Sequence, residues 1–292
     1  MKFLIWILLI SALAQAYIDL PEDLRKMFTD TYITRATRII IEATKSEMPF
    51  QVYLRTLHNG TMTQCTGSII HARYVLTAAH CTDNMVVGYS TVYAGADNLD
   101  RLQAPGVQKR EVEKVKKYPL FNKTSLNHDI AVLELSSELQ FTTFIQPIKI
   151  YKDDFFMIRA LKTIGFGFRR EPTHSRKQLN RVTMNHVATG PCKNKLDDSS
   201  VNITKYQICA RIPALNIHAE FMGGPIAHLE PKLSTFHKGK FFTEKSEFEW
   251  RQVGVMSFER NGQTHDNIYI GSRTSQYCDF ITNATRFKVA CW

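Results

Sequence analysis

From about Phe50 onward the chain alternates short apolar runs with polar breaks. FQVYL (50–54), SIIHARYVLTAA (68–79), STVYAG (90–95), DIAVLEL (129–135), LKTIGFGF (161–168), RQVGVMSF (251–258) and NIYIGSR (267–273) are rich in Val, Ile and Tyr, and Gly, Asn, Asp or Pro separate them. Such runs, bounded by turn formers, read as short strands of an all-β protein. No helical pattern alternates with them, which excludes a parallel sheet of strand–helix–strand units. The alternation within each run is loose, as in curled strands partly covered on both faces. The rhythm passes from one half to the other between Gln140 and Leu161, with no internal repeat and no low-complexity tract.

The N-terminal end follows a different pattern. MKFLIWILLISALAQA has one charge at Lys2, an apolar run, and then Ala14-Gln15-Ala16. This is the pattern of a secretory signal peptide over residues 1–16, cleaved after Ala16. Residues 17–38 form a polar leader, in which Asp19 as cap and Pro21 in the first turn predict a short helix. A folded domain over 39–292 follows. No later stretch reaches the roughly 18 uncharged apolar residues of a membrane span, so the expectation is a secreted, extracellular protein.

Two stretches are less regular. Residues 96–123 carry Lys109, Arg110, Lys114, Lys116 and Lys117, the pattern of a solvated face or, more sharply, of an anion-binding patch. Residues 229–250 mix aromatics with Lys232, Lys238, Lys240 and Lys245, and predict a long exposed hairpin or loop.

Composition narrows the function classes. The chain has 292 residues, 44% hydrophobic and 22% charged, which is a globular balance. Its six cysteines, in an oxidising compartment, allow three disulfides, with fifteen pairings open from counting alone. The formal charge of +10 points to acidic partners, an extracellular protein or an anionic glycan. No aromatic–basic module of a nucleic-acid binder occurs, so nucleic acid is not expected. N-x-[ST] sequons at Asn59, Asn122, Asn202 and Asn283 predict exposed, glycosylated positions. His218 with Glu220, and His228 with His237, lack metal-ligand spacing, so neither metal nor cofactor is expected. Nothing fixes an oligomeric state.

The most specific motif is LTAAHC, Leu76 to Cys81, preceded by CTGSIIHARYV. It resembles the histidine segment of the chymotrypsin-like (trypsin-like, S1) serine proteases. HDIAVLEL (128–135) resembles their aspartate segment, GGP (223–225) the end of their serine segment, and VGVMSF (253–258) their cleft-lining strand. The likeness extends from about residue 39 to the C-terminus and is similar to that of divergent nematode members. It implies two packed six-stranded antiparallel β-barrels, with the site between them, and a C-terminal helix. It places His80 as general base and Asp129 as the residue that orients it. It implies the bridges Cys65–Cys81 and Cys192–Cys209, which leaves Cys278 and Cys291 to pair. Ser257 is a structural residue beside the aspartate, and Asn216 falls at the floor of the specificity pocket.

The same resemblance exposes departures. The nucleophilic serine belongs immediately before the two glycines, where this chain has Met222. Phe221 stands where an aspartate receives the new N-terminus, and Glu220 where a glycine helps to build the oxyanion hole. At Arg38-Ile39, the matching cleavage point, the two glycines that follow in the family are absent, and an ammonium inserted there would meet no carboxylate at Phe221. His218 replaces a disulfide cysteine whose partner near Gly262 is also missing. A thioether has no proton to give up, so His80 and Asp129 are expected as a vestigial dyad in a pseudoenzyme that acts by binding. The alternative is an active serine-type endopeptidase.

Overall fold

The structure, a computed structural model, describes residues 40–153, 160–166, 168–169, 177–196, 203–212, 218–219, 221–231, 236–237, 240–241, 248–261 and 267–292. The expected signal peptide 1–16, the leader 17–38, Arg38 and the sequon Asn202 lie outside them. The described strands are β1 (Ile40–Glu42), β2 (Gln51–His58), β3 (Thr61–His71), β4 (Tyr74–Thr77), β5 (Thr91–Ala94), β6 (Gln108–Lys117), β7 (Ala131–Leu135), β8 (Lys149–Ile150), β9 (Ala160–Phe166), β10 (Phe168–Arg169), β11 (Leu179–Val187), β12 (Gln207–Arg211), β13 (His218–Ala219), β14 (Pro225–Pro231), β15 (Phe236–His237), β16 (Lys240–Phe241), β17 (Phe248–Asn261) and β18 (Asn267–Arg273). Among the described residues two short α-helices join them, α1 (Thr189–Lys195) and α2 (Cys278–Ala284).

The strands form two closed antiparallel barrels. The first runs β2-β3-β4-β7-β6-β5 and is sealed by the β2–β5 pairing from Val52↔Ala94 to Arg55↔Thr91. The second runs β11-β12-β18-β17-β14-β9, and β9 also pairs with β11 to close its six-strand ring. β1 adds an edge to β11, and β8 lies parallel to β17. The predicted all-β, twin-barrel fold with a C-terminal helix is therefore the observed one. The passage between halves falls between Leu135 and Ala160.

Strand alternation sets the interior. Val52, Leu54, Ile69, Val75, Val92 and Leu133 are fully buried in the first barrel, as are Leu161, Ile164, Val182, Ile226 and Val255 in the second. Each such side chain contributes about 1.5–3 kcal/mol by leaving water. One continuous core includes first-barrel residues together with Ile164, Phe166, Ala227 and Val255. A smaller core gathers Leu196, Ile203, Phe258 and Ile270 around Cys192 and Cys209.

Three features depart from, or add to, the sequence reading. The irregular basic stretch contains a regular ten-residue strand, β6. Its charges mask a pattern in which Val112 turns inward, with a register shift between Val112 and Lys114 that kinks the strand. Asn59, read as an exposed sequon, is exposed and also makes the turn. With φ of 46° at Asn59 and 83° at Gly60, the pair forms the two-residue turn that joins His58 to Thr61. The helix α1 carries Pro191 in its first turn, the position where a missing N–H costs least. The expected hairpin at 229–250 is present as the pairing of β14 with β17, Pro225↔Val255 to Pro231↔Phe248, and β15 pairs with β16 beyond it.

All six cysteines are paired, as Cys65–Cys81, Cys192–Cys209 and Cys278–Cys291. The last staples α2 to the C-terminal segment, where Trp292 N–H donates to the Ile150 carbonyl. Among the described residues no helix is long and apolar enough to cross a membrane.

Candidate active site

The site is assembled where the barrels meet. β4 ends at Thr77, and a single 3-10 turn, His80–Thr82, follows. Asp129 comes just before β7, and Ser257 lies on β17 at its register shift. These residues are far apart in sequence, and the closure of both barrels brings them together.

Asp129 is completely buried and is met by three donors. His80 Nδ1–H donates to its Oδ2 at 2.6 Å, and the His80 backbone N–H donates to its Oδ1 at 2.8 Å. The Ser257 hydroxyl gives a short hydrogen bond to Oδ2. A buried carboxylate is tolerable only when so satisfied, and charge-assisted bonds of this kind are the strong ones. The Asp129 backbone is held as well, because the Ser272 hydroxyl donates to its carbonyl at 2.8 Å. The bond to Asp129 makes Nδ1 the donor, so Nε2 carries the free lone pair of the neutral ring. Among the described residues its polar neighbour is Cys81 Sγ, at 3.5 Å. Among the described residues no hydroxyl hydrogen-bonds to Nε2.

The facing loop, Phe221 to Gly224, is fixed from both sides. Thr66 N–H of the first barrel donates to the Met222 carbonyl at 2.8 Å. Gly223 N–H donates to the Met256 carbonyl of the second barrel, and Met256 N–H to the Gly224 carbonyl, both at 2.8 Å. Gly223 has φ of 80°, and a Cβ there would fall 2.3 Å from Thr77 Oγ1 and 2.4 Å from the Thr66 carbonyl oxygen. Only glycine fits that conformation and that space. Phe221 is fully buried and packs so tightly on Gly165 that a Cβ on Gly165 would sit 2.5 Å from its ring. Met222 is half-buried against the main core.

Of the positions singled out from the sequence, His80, Asp129 and Ser257 come together, and Phe221 and Met222 lie on the facing loop. Asn216 and Glu220 lie outside the described residues. Asn59, Asn122 and Asn283 are exposed. Part of the basic run is ion-paired: Lys117 and Lys123 share Asp83 at 3.3 and 2.6 Å. Lys114 reaches Glu113 and Glu134, and Arg286 also reaches Glu134. Sequence reasoning missed Ser272, Thr66 and Thr77, whose roles come from barrel register and carry no local signature. Cys65, His80 and Cys81 are the described cluster with metal-ligand atom types, but both sulfurs are committed to one disulfide.

A twin barrel with a buried aspartate bonded to a part-exposed histidine at its junction defines the chymotrypsin-like architecture, and the chain belongs to the trypsin family, whose model matches residues 40–281. It carries a trypsin-like S1 serine-protease domain. Among curated proteins it is similar to the suppressor of tumorigenicity 14 protein homolog of Bos taurus, 27% identical over 218 residues, which cover 70% of this chain and 25% of that protein. The matched region thus spans about a quarter of the relative's length.

Proposed function

We propose that this domain is a secreted trypsin-family protein that does not hydrolyse peptides and acts by binding. The observation that carries this reading is the pairing of an assembled His80–Asp129 unit with a thioether, Met222, immediately before Gly223. Acyl transfer needs a hydroxyl whose proton the imidazole removes, and a triad works as a unit. On this reading His80 and Asp129 form a vestigial dyad that ties the barrels together, and Met222 fills the nucleophile position as an apolar plug. Phe221 supports it independently: a buried phenyl ring stands where a carboxylate would receive a new N-terminus, so cleavage at Arg38-Ile39 would not complete a site. Glu220 in place of a glycine weakens the oxyanion hole.

The remaining parts of the proposal follow the sequence. Residues 1–16 direct secretion, 17–38 form a leader, and 39–292 are the folded domain. Asn59, Asn122, Asn202 and Asn283 are the acceptors for glycans, and an extracellular protein or anionic glycan is the partner, attracted by the net charge.

A fluorophosphonate probe tests the central point. The expected result is no covalent labelling of the folded protein, before or after limited cleavage at Arg38. Labelling that maps to the loop around residue 222 would overturn it. The second reading, an active endopeptidase, draws on the intact hydrogen bonds of His80, Asp129 and Ser257. It requires hydrolysis that disappears in His80→Ala.

A further inference from the structure

Among the described residues, the polar atom that meets the free nitrogen of His80 is a disulfide sulfur. Nδ1 is committed to Asp129 at 2.6 Å, and Nε2 lies 3.5 Å from Cys81 Sγ. The relevant atoms of Cys65, His80 and Cys81 all lie within 4.8 Å of one another. The two cysteines differ in exposure: Cys81 is 2% exposed, and Cys65, on β3, is half-buried. Cys65 is thus the more open side of the bridge, and Cys81 Sγ is the sulfur that the imidazole meets. Gly223 also lies close to Cys81 Sγ, since a Cβ on it would come within 3.1 Å.

We infer that Cys65–Cys81 is a thiol-exchange site in which His80 carries the proton, and that its substrate class is a small thiol or a protein dithiol. Thiol–disulfide exchange needs a thiolate to attack and a proton for the departing sulfur. The incoming thiol gives its proton to His80 Nε2, and its sulfur forms a bond to Cys65 Sγ. The Cys65–Cys81 bond breaks, and its electron pair goes to Cys81 Sγ, which takes the proton from Nε2. The products are a mixed disulfide on Cys65 and a free thiol at Cys81, and a second thiol completes the reduction while the reagent is oxidised to its disulfide. Asp129 keeps the ring in the tautomer that leaves Nε2 free and stabilises the imidazolium that forms in between. The imidazole performs the same proton relay that acyl transfer asks of it, with sulfur in place of oxygen at both ends. Opening the bridge releases β3 from the turn that carries His80.

The other two bridges supply internal controls. Cys192 and Cys209 are both buried, at 0% and 2% exposure. Cys278 and Cys291 are each half-buried, like Cys65. Cys278 Sγ meets the Thr274 carbonyl, and no described histidine hydrogen-bonds to that bridge.

The test treats the folded, disulfide-bonded protein with reduced glutathione without denaturant, blocks new thiols with an alkylating reagent at intervals, and maps them by mass spectrometry. The expected result is that Cys65–Cys81 opens first. His80→Gln should slow that opening by about tenfold or more, within reach of ordinary acid–base catalysis, while the opening of Cys278–Cys291 is unchanged. Added imidazole should restore part of the rate in the variant. Should the variant fail to fold, carbethoxylation of histidine in the wild-type protein gives the same comparison between the two bridges. Equal slowing of both bridges, no slowing at Cys65–Cys81, or prior opening of Cys278–Cys291 overturns the inference. A parallel hydrolysis assay separates this outcome from that of the silent-protease reading, because exchange at sulfur does not depend on it.

Discussion

The Asp129 carboxylate and the His80 imidazole meet at 2.6 Å across the junction of the first barrel's β4–turn and β7 entries. The same carboxylate also holds the His80 backbone and the Ser257 hydroxyl, and so couples β17 of the second barrel to the first. This hub is structural whatever chemistry the site performs. Replacing Asp129 by Ala leaves three donors without their acceptor, the Ser257 hydroxyl buried and the two of His80 part-buried, and should cost about 3–5 kcal/mol in all, at roughly 1–3 kcal/mol for each unsatisfied group. Urea unfolding followed by tryptophan fluorescence measures this, and a loss below about 1 kcal/mol would mean that the hub carries no load.

Phe221 and Met222 are neighbours with opposite expected sensitivities. Phe221 is fully buried on Gly165, so Phe221→Ala should cost about 3–5 kcal/mol by leaving a cavity. Phe221→Asp, the residue type that the family resemblance expects there, should cost at least as much, because its carboxylate would be buried without a counter-charge. Met222 is half-buried, and Met222→Ser should cost less than either. If Glu220 and Phe221 disable the site independently, Met222→Ser alone will leave hydrolysis of a peptide-ester substrate at background. Turnover restored by that one change would show that the thioether is the whole defect.

Gly223 gives a sharper steric test of the same loop. Gly223→Ala puts a methyl group within 2.4 Å of both Thr77 Oγ1 and the Thr66 carbonyl, at φ of 80°. The loop must then leave Thr66 and Met256 or strain the backbone, at about 1–3 kcal/mol for the conformation alone. Hydrogen exchange should show faster exchange at the amides of Thr66, Gly223 and Met256 than in the wild type, with remote strands such as β6 unaffected.

How far the sequence reveals all this depends on the range of each interaction. The strand runs around Val52, Ile69, Leu133 and Ile270 are legible because alternation and turn formers are local. The histidine and aspartate segments are legible because LTAAHC and HDIAVLEL are highly specific motifs. Strand β6 was obscured, because seven of its ten residues are charged and only the inward turn of Val112 and Val115 marks it as a strand. Part of the charge of that stretch is paired within the fold, by Glu113 on β6 itself and by Asp83 and Glu134 from other elements, and the latter two pairings carry no local signature. Ser272 and Thr66 were invisible for the same cause: each acts on a residue brought close only by barrel register.

The pH dependence of stability follows from buried histidines. His228 on β14 is 5% exposed, packed by Tyr151, with Glu230 3.7 Å from its Nε2. Burial, and then the nearby Arg251 guanidinium, lower its pKa from the ordinary 6.5 to about 4. Burial also lowers His128 and His186, the latter with help from Arg273. Between the ordinary value and the lowered one, the unfolded chain binds protons that the folded chain refuses, so stability falls as pH falls. The contribution is fully present above pH 6.5 and is lost progressively toward pH 4 for His228. The paired carboxylates of Asp83 and Glu113, whose pKa values are lowered by Lys123 and Arg73 respectively, add their own loss only at lower pH. Thermal unfolding should therefore give a Tm that is flat from about pH 7.5 to 6.5 and then drops by several degrees by about pH 4.5, the scale expected for 1–2 kcal/mol in a domain of this size. His228→Gln should flatten much of that slope even if it lowers the plateau, because the slope reports proton uptake and the plateau reports packing. A wild-type Tm that is level down to pH 4.5, or a slope that the substitution leaves intact, would remove His228 as the source.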